Sequence, residues 1–375
     1  MQTIDRRSWL KKSTLASLGW GITLQAMAGE DYLPRELNDT NGIINLGFNE
    51  NPYGISPLAR KAINDMMGMT NRYPMNVKEV AAFKKNLAEK LGVSENNLLM
   101  TAGSGEGLNL LARAFSGGEL VTATPTFPIL PSTSKKLGVT VREIPLNAEK
   151  VHDLPAMLQA IQGNTSLVYV CNPANPTGTV ADPEKLKTFC QEASKRTTVV
   201  IDEAYIDLVD APLNISMRSM VHDNPRIVII STFSKIHAMA GLRIGYIIGH
   251  PTTIQQLQDN LFQQAGSCIS VLSSAAASAS LSDKTYLDEC KKNNAAVRQY
   301  TLQRLEELGY RTIPSHTNFL FFATPGYPGD FAKDMLEKNK IILRSSNYAD
   351  GKWARVSIGL RSEMDIFLDK LKGMG

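Results

Sequence analysis

Cysteine is scarce in this 375-residue chain: Cys171, Cys190, Cys268 and Cys290 are the four, widely scattered. That scatter excludes a disulfide framework and the paired thiolates of a zinc site, so no metal centre is expected. Charge of one sign is lacking as well. Forty basic side chains stand against 36 acidic ones, the formal net charge is +4, and no long basic run occurs. Nucleic-acid binding therefore has no electrostatic footprint. Internal repeats and low-complexity blocks are absent, and the apolar stretch near the N-terminus is too short and polar for a membrane span. What remains is an ordinary globular composition, 43% hydrophobic and 20% charged, with a length that suggests two domains.

The N-terminus departs from that composition. "DRRSWLKKSTLASLGWGITLQAMAGE" orders a charged region, an apolar and small-residue stretch, and an A-x-A pattern before Gly29. Arg6 and Arg7, followed by Trp9, Leu10 and Lys11, resemble a twin-arginine export signal, from which Asp5 and Trp9 depart. Residues 1–28 are thus expected to be a signal peptide and 29–48 an N-terminal arm. The expected location is periplasmic or exported through the twin-arginine machinery, with the cytoplasm as the alternative. Unpatterned cysteines suit folding in a reducing cytoplasm before export.

Beyond the arm, amphipathic helical patterns alternate with continuous β-branched runs. "NVKEVAAFKKNLAEKLG" reads as a helix closed by Gly92, and "DPEKLKTFCQEASKR" as one opened by Asp182-Pro183. "ELVTATP", "SLVYVCNP", "TTVVIDEAY", "RIVIISTFSK" and "RIGYIIG" read as strands. The expected fold class is α/β, a mostly parallel sheet covered by helices over residues 49–265. A smaller α+β domain is expected over 266–375, where a long helix, the strands "TNFLFFAT", "IILRSS" and "WARVSIG", and a last helix follow.

Ligands of such sheets bind beyond the carboxyl ends of the strands. Those ends carry Gly103-Ser104-Gly105, Thr126-Phe127, Asn175, Asp202, Tyr205 and Thr232-Phe233-Ser234-Lys235. A Gly/Ser turn entering a helix makes a phosphate cup, which hydroxyls and Arg243 complete. Phe127 suits a flat ring, Asp202 a protonated ring nitrogen, Tyr205 and Asn175 a ring oxygen, and Lys235 an aldehyde. Together these describe pyridoxal 5'-phosphate.

Several longer motifs then carry a resemblance: "NENPYG" at 49–54, "NRYP" at 71–74, "NPANPTG" at 172–178, "DEAY" at 202–205, "FSKIHAMAGLRIGY" at 233–246 and "ARVSIG" at 354–359. The chain resembles the fold-type I aminotransferases of class I/II, in their histidinol-phosphate aminotransferase branch. The resemblance implies that Lys235 holds the cofactor and moves the proton, with Asp202 and Tyr205 also catalytic. It implies a phosphate cup of Ser104, Gly105, Thr232, Ser234 and Arg243, and a homodimer in which Tyr73 reaches the neighbouring subunit's cofactor. For the substrate it implies Arg355 on the α-carboxylate, Arg344 on a distal phosphate, and Asn175 and Tyr53 in the same pocket. The implied reaction moves an amino group from an amino acid or histidinol phosphate-like donor to a 2-oxo acid such as 2-oxoglutarate. An aromatic-amino-acid aminotransferase, a threonine-phosphate decarboxylase-like enzyme and a non-catalytic cofactor-binding module stand as alternatives. Two departures are visible. Gly103-Ser104-Gly105-Glu106 replaces the branch's usual Gly-x-Asp-Glu, and Phe127 stands where tyrosine is frequent. His237, two residues after the lysine, is expected to pack or hydrogen-bond rather than act as a second base.

Overall fold

The computed structural model describes residues 42–74, 77–264 and 269–374. The expected signal at 1–28, residues 29–41 of the expected arm and the expected boundary at 265/266 lie outside these. The first half of the chain runs β1 (Ile44–Asn45), α1 (Pro57–Met66), α2 (Lys78–Leu91), β2 (Leu98–Thr101), α3 (Ser104–Ala114), β3 (Glu119–Thr124), α4 (Ile129–Lys136) and β4 (Val141–Pro145). It continues with α5 (Leu154–Ala160), β5 (Thr165–Cys171), α6 (Pro183–Ala193), β6 (Thr198–Asp202), β7 (Ile227–Thr232), β8 (Gly245–Gly249) and α7 (Pro251–Gln264). After these come α8 (Val271–Ser282), α9 (Lys284–Glu307), β9 (Thr312–Ile313), β10 (Phe319–Ala323), α10 (Phe331–Asn339), β11 (Ile341–Ile342), β12 (Arg344–Tyr348), β13 (Gly351–Ser357) and α11 (Arg361–Leu371).

Seven strands form one sheet in the order β2-β8-β7-β6-β5-β3-β4, with β8 antiparallel to both neighbours and the other pairings parallel. Every residue of β6 and β7 is buried, which is why "TVVID" and "IVIIST" are unbroken β-branched runs rather than alternating ones. Alternation reappears as a division between faces. Val199, Ile201, Ile227 and Ile229 enter one core, and Val200, Val228 and Ile230 the other. From β3 the chain steps outward to β4, then returns to β5 on the other side of β3. The loops leaving β3 and β5 therefore diverge, opening a crevice at their carboxyl ends.

Four antiparallel strands, β12-β13-β10-β9, form a second sheet. Leu320, Phe322, Ala354 and Val356 point into a core shared with Leu305, Phe331, Met335 and Phe367. The opposite face carries Phe321, Arg355 and Arg344, which the register sets side by side. β1 pairs parallel with β11 and brings Leu46 into the same core.

Helix ends follow their local chemistry. Gly92 closes α2 at φ +69°, and the Asp182 side chain accepts from Lys185 N ahead of Pro183. The long helical stretch expected over 280–309 is two helices, because Asp283 leaves helical geometry between α8 and α9. α8 itself has no apolar stripe to read. Its "SSAAASAS" is buried on nearly all sides, and small side chains let it lie close to α1 and α2 with Ala276 and Ala277 in the large-sheet core. α4 also goes unread, since Pro131 looks like a breaker; it sits in the first turn, where no intrahelical N–H is required.

Candidate active site

The crevice beyond the strands is a cleft of about 790 Å³, roofed by the arginine-bearing face of the second sheet. Its floor begins at the N-terminus of α3. Gly103 precedes that helix at φ +77° and offers no side-chain cap, so the first N–H groups of Ser104 and Gly105 face the cleft. A Cβ on Gly103 would lie 2.4 Å from Arg243 Nη2, and one on Gly245 would lie 2.7 Å from Gly103 C and Ser104 N. Both glycines are thus the condition for bringing strand, helix end and arginine together. Arg243, itself at φ +52°, is anchored through Nη1 to Ala240 O at 2.9 Å and Nη2 to Ala102 O at 3.4 Å. Thr232 donates to Ser234 Oγ at 2.9 Å, which places two hydroxyls on the same rim. Glu106 accepts from Ala102 N at 2.6 Å, so the acid at the fourth position of the motif ties down the helix start beside Gly105, where the branch's aspartate is missing. Thr126 Oγ1, also on the cleft, is buried without a hydrogen-bond partner. Helix N-terminus, hydroxyls and guanidinium make an anion cradle.

Asp202 ends β6 at 1% exposure. Its Oδ1 accepts from Ala204 N at 3.1 Å and its Oδ2 from the Tyr169 hydroxyl at 2.9 Å. Burial pushes its carboxyl up to about 6, opposed first by the Tyr169 hydrogen bond. A carboxylate kept so dry has room for one cationic partner. The Tyr205 oxygen accepts from Asn49 Nδ2 at 2.9 Å and Asn175 Nδ2 at 3.2 Å, leaving its own proton to donate. Burial raises the pKa of that phenol, so the proton stays.

Lys235 follows β7 by three residues. Its ammonium donates to Asn49 O at 3.1 Å and Phe48 O at 3.4 Å and lies 5.3 Å from the Tyr205 ring centre. Burial lowers it to about 8, and Arg355 pushes in the same direction. Arg355 donates to Asn175 Oδ1 at 2.6 Å and Gly47 O at 2.8 Å, while its buried Nε has no partner. Arg344 is the direct cross-strand neighbour of Arg355 and stacks over Phe48 at 4.5 Å.

The profile of the family described as aminotransferase class I and II matches residues 41–371. The chain belongs to the class I and II aminotransferases. It is 36% identical over 331 residues to a histidinol-phosphate aminotransferase of Shouchella clausii, covering 88% of each chain. It is 35% identical over 344 residues to histidinol-phosphate aminotransferase 2 of Pseudomonas fluorescens, covering 91% of each. Among solved structures it is similar to the histidinol-phosphate aminotransferase from Sinorhizobium meliloti in complex with pyridoxal-5'-phosphate, with a TM-score of 0.81 and 27% identity. That match covers 93% of this chain and 96% of the other.

In this aminotransferase the cleft gathers Ser104, Gly105, Phe127, Asn175, Asp202, Tyr205, Thr232, Ser234, Lys235, Arg243, Arg344 and Arg355. Two tyrosines expected at the site do not line it in the single chain. Tyr53 packs behind Tyr205 with Ile236 and Phe319, and Tyr73 is 80% exposed. His237 is buried, its Nδ1 2.7 Å from Ser280 Oγ, and burial drops it to about 3, so it is a neutral packing residue. Asn49 and Tyr169 carry no separate signal in sequence. Asn49 lies inside the "NENPYG" motif at φ +55°, and Tyr169 reads as an ordinary strand aromatic.

Proposed function

We propose that the protein is a pyridoxal phosphate-dependent aminotransferase that takes an amino group from a histidinol phosphate-like donor and passes it to 2-oxoglutarate. The observation that carries this reading is that Arg344 and Arg355 face each other across the β12–β13 ladder in the cleft that holds Lys235. The anion cradle, the dry Asp202 and the Tyr205 proton match the phosphate, ring nitrogen and ring oxygen of that cofactor. When bound, pyridoxal phosphate supplies an electrophilic aldehyde and a conjugated ring that accepts the electron pair left by a departing Cα proton.

The chain's own residues divide the rest of the work. Ser104, Gly105, Thr232, Ser234 and Arg243 would hold the phosphate, and Phe127 would offer its ring to the cofactor's. Asp202 would keep the ring nitrogen protonated, while Tyr205 and Asn175 would fix the ring oxygen. Lys235, with a pKa near neutrality, can both take and return a proton at its Nζ. Cross-strand side chains stand about 5 Å apart at Cβ, so the two guanidiniums converge. Histidinol phosphate bears its phosphate ester where an amino acid bears its carboxylate, so both arginines meet one dianion. 2-Oxoglutarate has two carboxylates, and Arg355 takes the α-carboxylate while Arg344 takes the other. A charged hydrogen bond to such an anion is worth about 1.5–3 kcal/mol, one to two decades in affinity.

Two further readings belong to this proposal. The protein works as a homodimer, for which the exposure of Tyr73 speaks, since a side chain meant for a neighbour's cofactor stands unburied in one chain. It is exported through Arg6 and Arg7, a reading supported by the order of paired arginines, apolar stretch and A-x-A pattern in the sequence. The deciding experiment is a single-turnover donor screen with histidinol phosphate, phenylalanine, tyrosine, histidine and phosphothreonine. Histidinol phosphate should lead in kcat/KM, and Arg344→Ala should narrow its lead about tenfold or more. Phenylalanine matching it, with no effect of Arg344→Ala, makes the aromatic aminotransferase the better reading. Carbon dioxide released without an oxo acid makes it a decarboxylase.

A further inference from the structure

Tyr169 is fully buried inside the large sheet, yet it carries a hydroxyl. Its register partner on β6 is Val200, two residues before Asp202. Two residues of strand advance about 6.6 Å, which is close to the reach of a phenol from its Cα. The ring therefore lies along the strand direction and delivers its hydroxyl to Asp202 Oδ2 at 2.9 Å. Val168, Val170 and Leu167 show what packing alone asks of β5, and a phenylalanine would fill the same space. A buried hydroxyl without a partner costs about 1–3 kcal/mol, so its presence is explained by the carboxylate that accepts from it.

The two donors on Asp202 take different oxygens: the Ala204 N–H on Oδ1 and Tyr169 on Oδ2. Each carboxylate oxygen then has one protein donor, and the residue borders the cleft at the strand end. We propose that Tyr169 is a positioning residue for the cofactor's ring nitrogen, acting through Asp202. It keeps the carboxylate charged and aimed before any ligand arrives, so that the cationic ring N–H meets a prepared acceptor. The direction of the Asp202 titration agrees, since the Tyr169 hydrogen bond is the foremost influence opposing its burial. This inference rests on the cofactor assignment above and extends it to a residue that touches neither cofactor nor substrate.

Tyr169→Phe removes one oxygen and leaves the packing. The test measures binding of pyridoxal phosphate to the apoprotein, and of its deaza analogue, in which carbon replaces the ring nitrogen. Against the parent, the variant should bind pyridoxal phosphate about tenfold or more weakly and the deaza analogue equally well. Its kcat should fall by a similar factor with KM for the donor little changed, and the apoprotein should still unfold in urea as one cooperative transition, somewhat less stable for the donor that Asp202 has lost. Equal weakening toward both cofactors, or none toward either, overturns the proposal. So does a variant that no longer folds, because the hydroxyl would then serve the apoprotein itself. Failure of the parent to bind pyridoxal phosphate at all would instead overturn the cofactor assignment, which separates the two.

Discussion

Replacing Lys235 with methionine should abolish turnover and yet stabilise the cofactor-free protein at neutral pH. Burial, aided by Arg355, lowers the Lys235 ammonium from 10.5 to about 8. At about 1.4 kcal/mol for each tenfold change in proton affinity, carrying that charge in the folded state costs about 3 kcal/mol below pH 8. Solvent reaching the open cleft screens part of this. The ammonium also donates to Phe48 O and Asn49 O, contacts that return about 1 kcal/mol when present. The net gain expected from Lys235→Met is therefore about 1–2 kcal/mol at pH 7. Between pH 8 and 10.5 the unfolded lysine keeps a proton that the folded one has shed. The unfolded state then binds more protons, so the parent's stability gains from this group as pH rises through that window. The variant lacks this gain, and its advantage should vanish or reverse near pH 10. Urea denaturation of both apoproteins at pH 7 and pH 10 reads the difference, because groups away from the cleft titrate alike in both and only Asp202 loses a favourable neighbour. A variant no more stable than its parent at pH 7, or an advantage constant across that range, would refute the reasoning.

Arg355→Leu should lower kcat/KM for any anionic donor by about a hundredfold, since it removes the charge and leaves Asn175 Oδ1 and Gly47 O without their 2.6 and 2.8 Å donors. Steady-state kinetics on two donors would check this, and unchanged values would dissociate Arg355 from the substrate. Gly103→Ala should weaken cofactor binding about tenfold or more, because the new methyl meets Arg243 at 2.4 Å on a left-handed backbone; fluorescence titration measures it. His237→Gln should leave the kcat–pH profile between pH 6 and 9 in place, as the native imidazole is already neutral there; a displaced limb would make His237 a titrating partner of the reaction. Arg6→Lys with Arg7→Lys should hold the protein in the cytoplasm, and normal delivery of that double variant to the periplasm would remove the twin-arginine reading.

Local patterning carried much of this molecule. Continuous β-branched runs such as "TVVID" specify strands buried on both faces, and Asp182-Pro183 and Gly92 punctuate helices through groups within one turn of themselves. The chemistry at the strand ends was legible for the same reason: Asp202, Lys235 and the glycine-serine turn each sit where a recognisable element stops. Helix α8 was not legible, because a segment buried on all sides shows no periodicity, and α4 was hidden by a proline tolerated only in a first turn. Pairing across the chain lay equally beyond sequence reading. Asn49 reaches Tyr205 over 156 positions, and Arg355 reaches Asn175 over 180. The Tyr169–Asp202 hydrogen bond depends on β5 and β6 being neighbours in a particular register. Residue types and their order state which groups are available and which elements carry them. Only the folded sheet, by setting strand order, register and the face each side chain takes, decides which of those groups share one dry cleft and shift one another's protons.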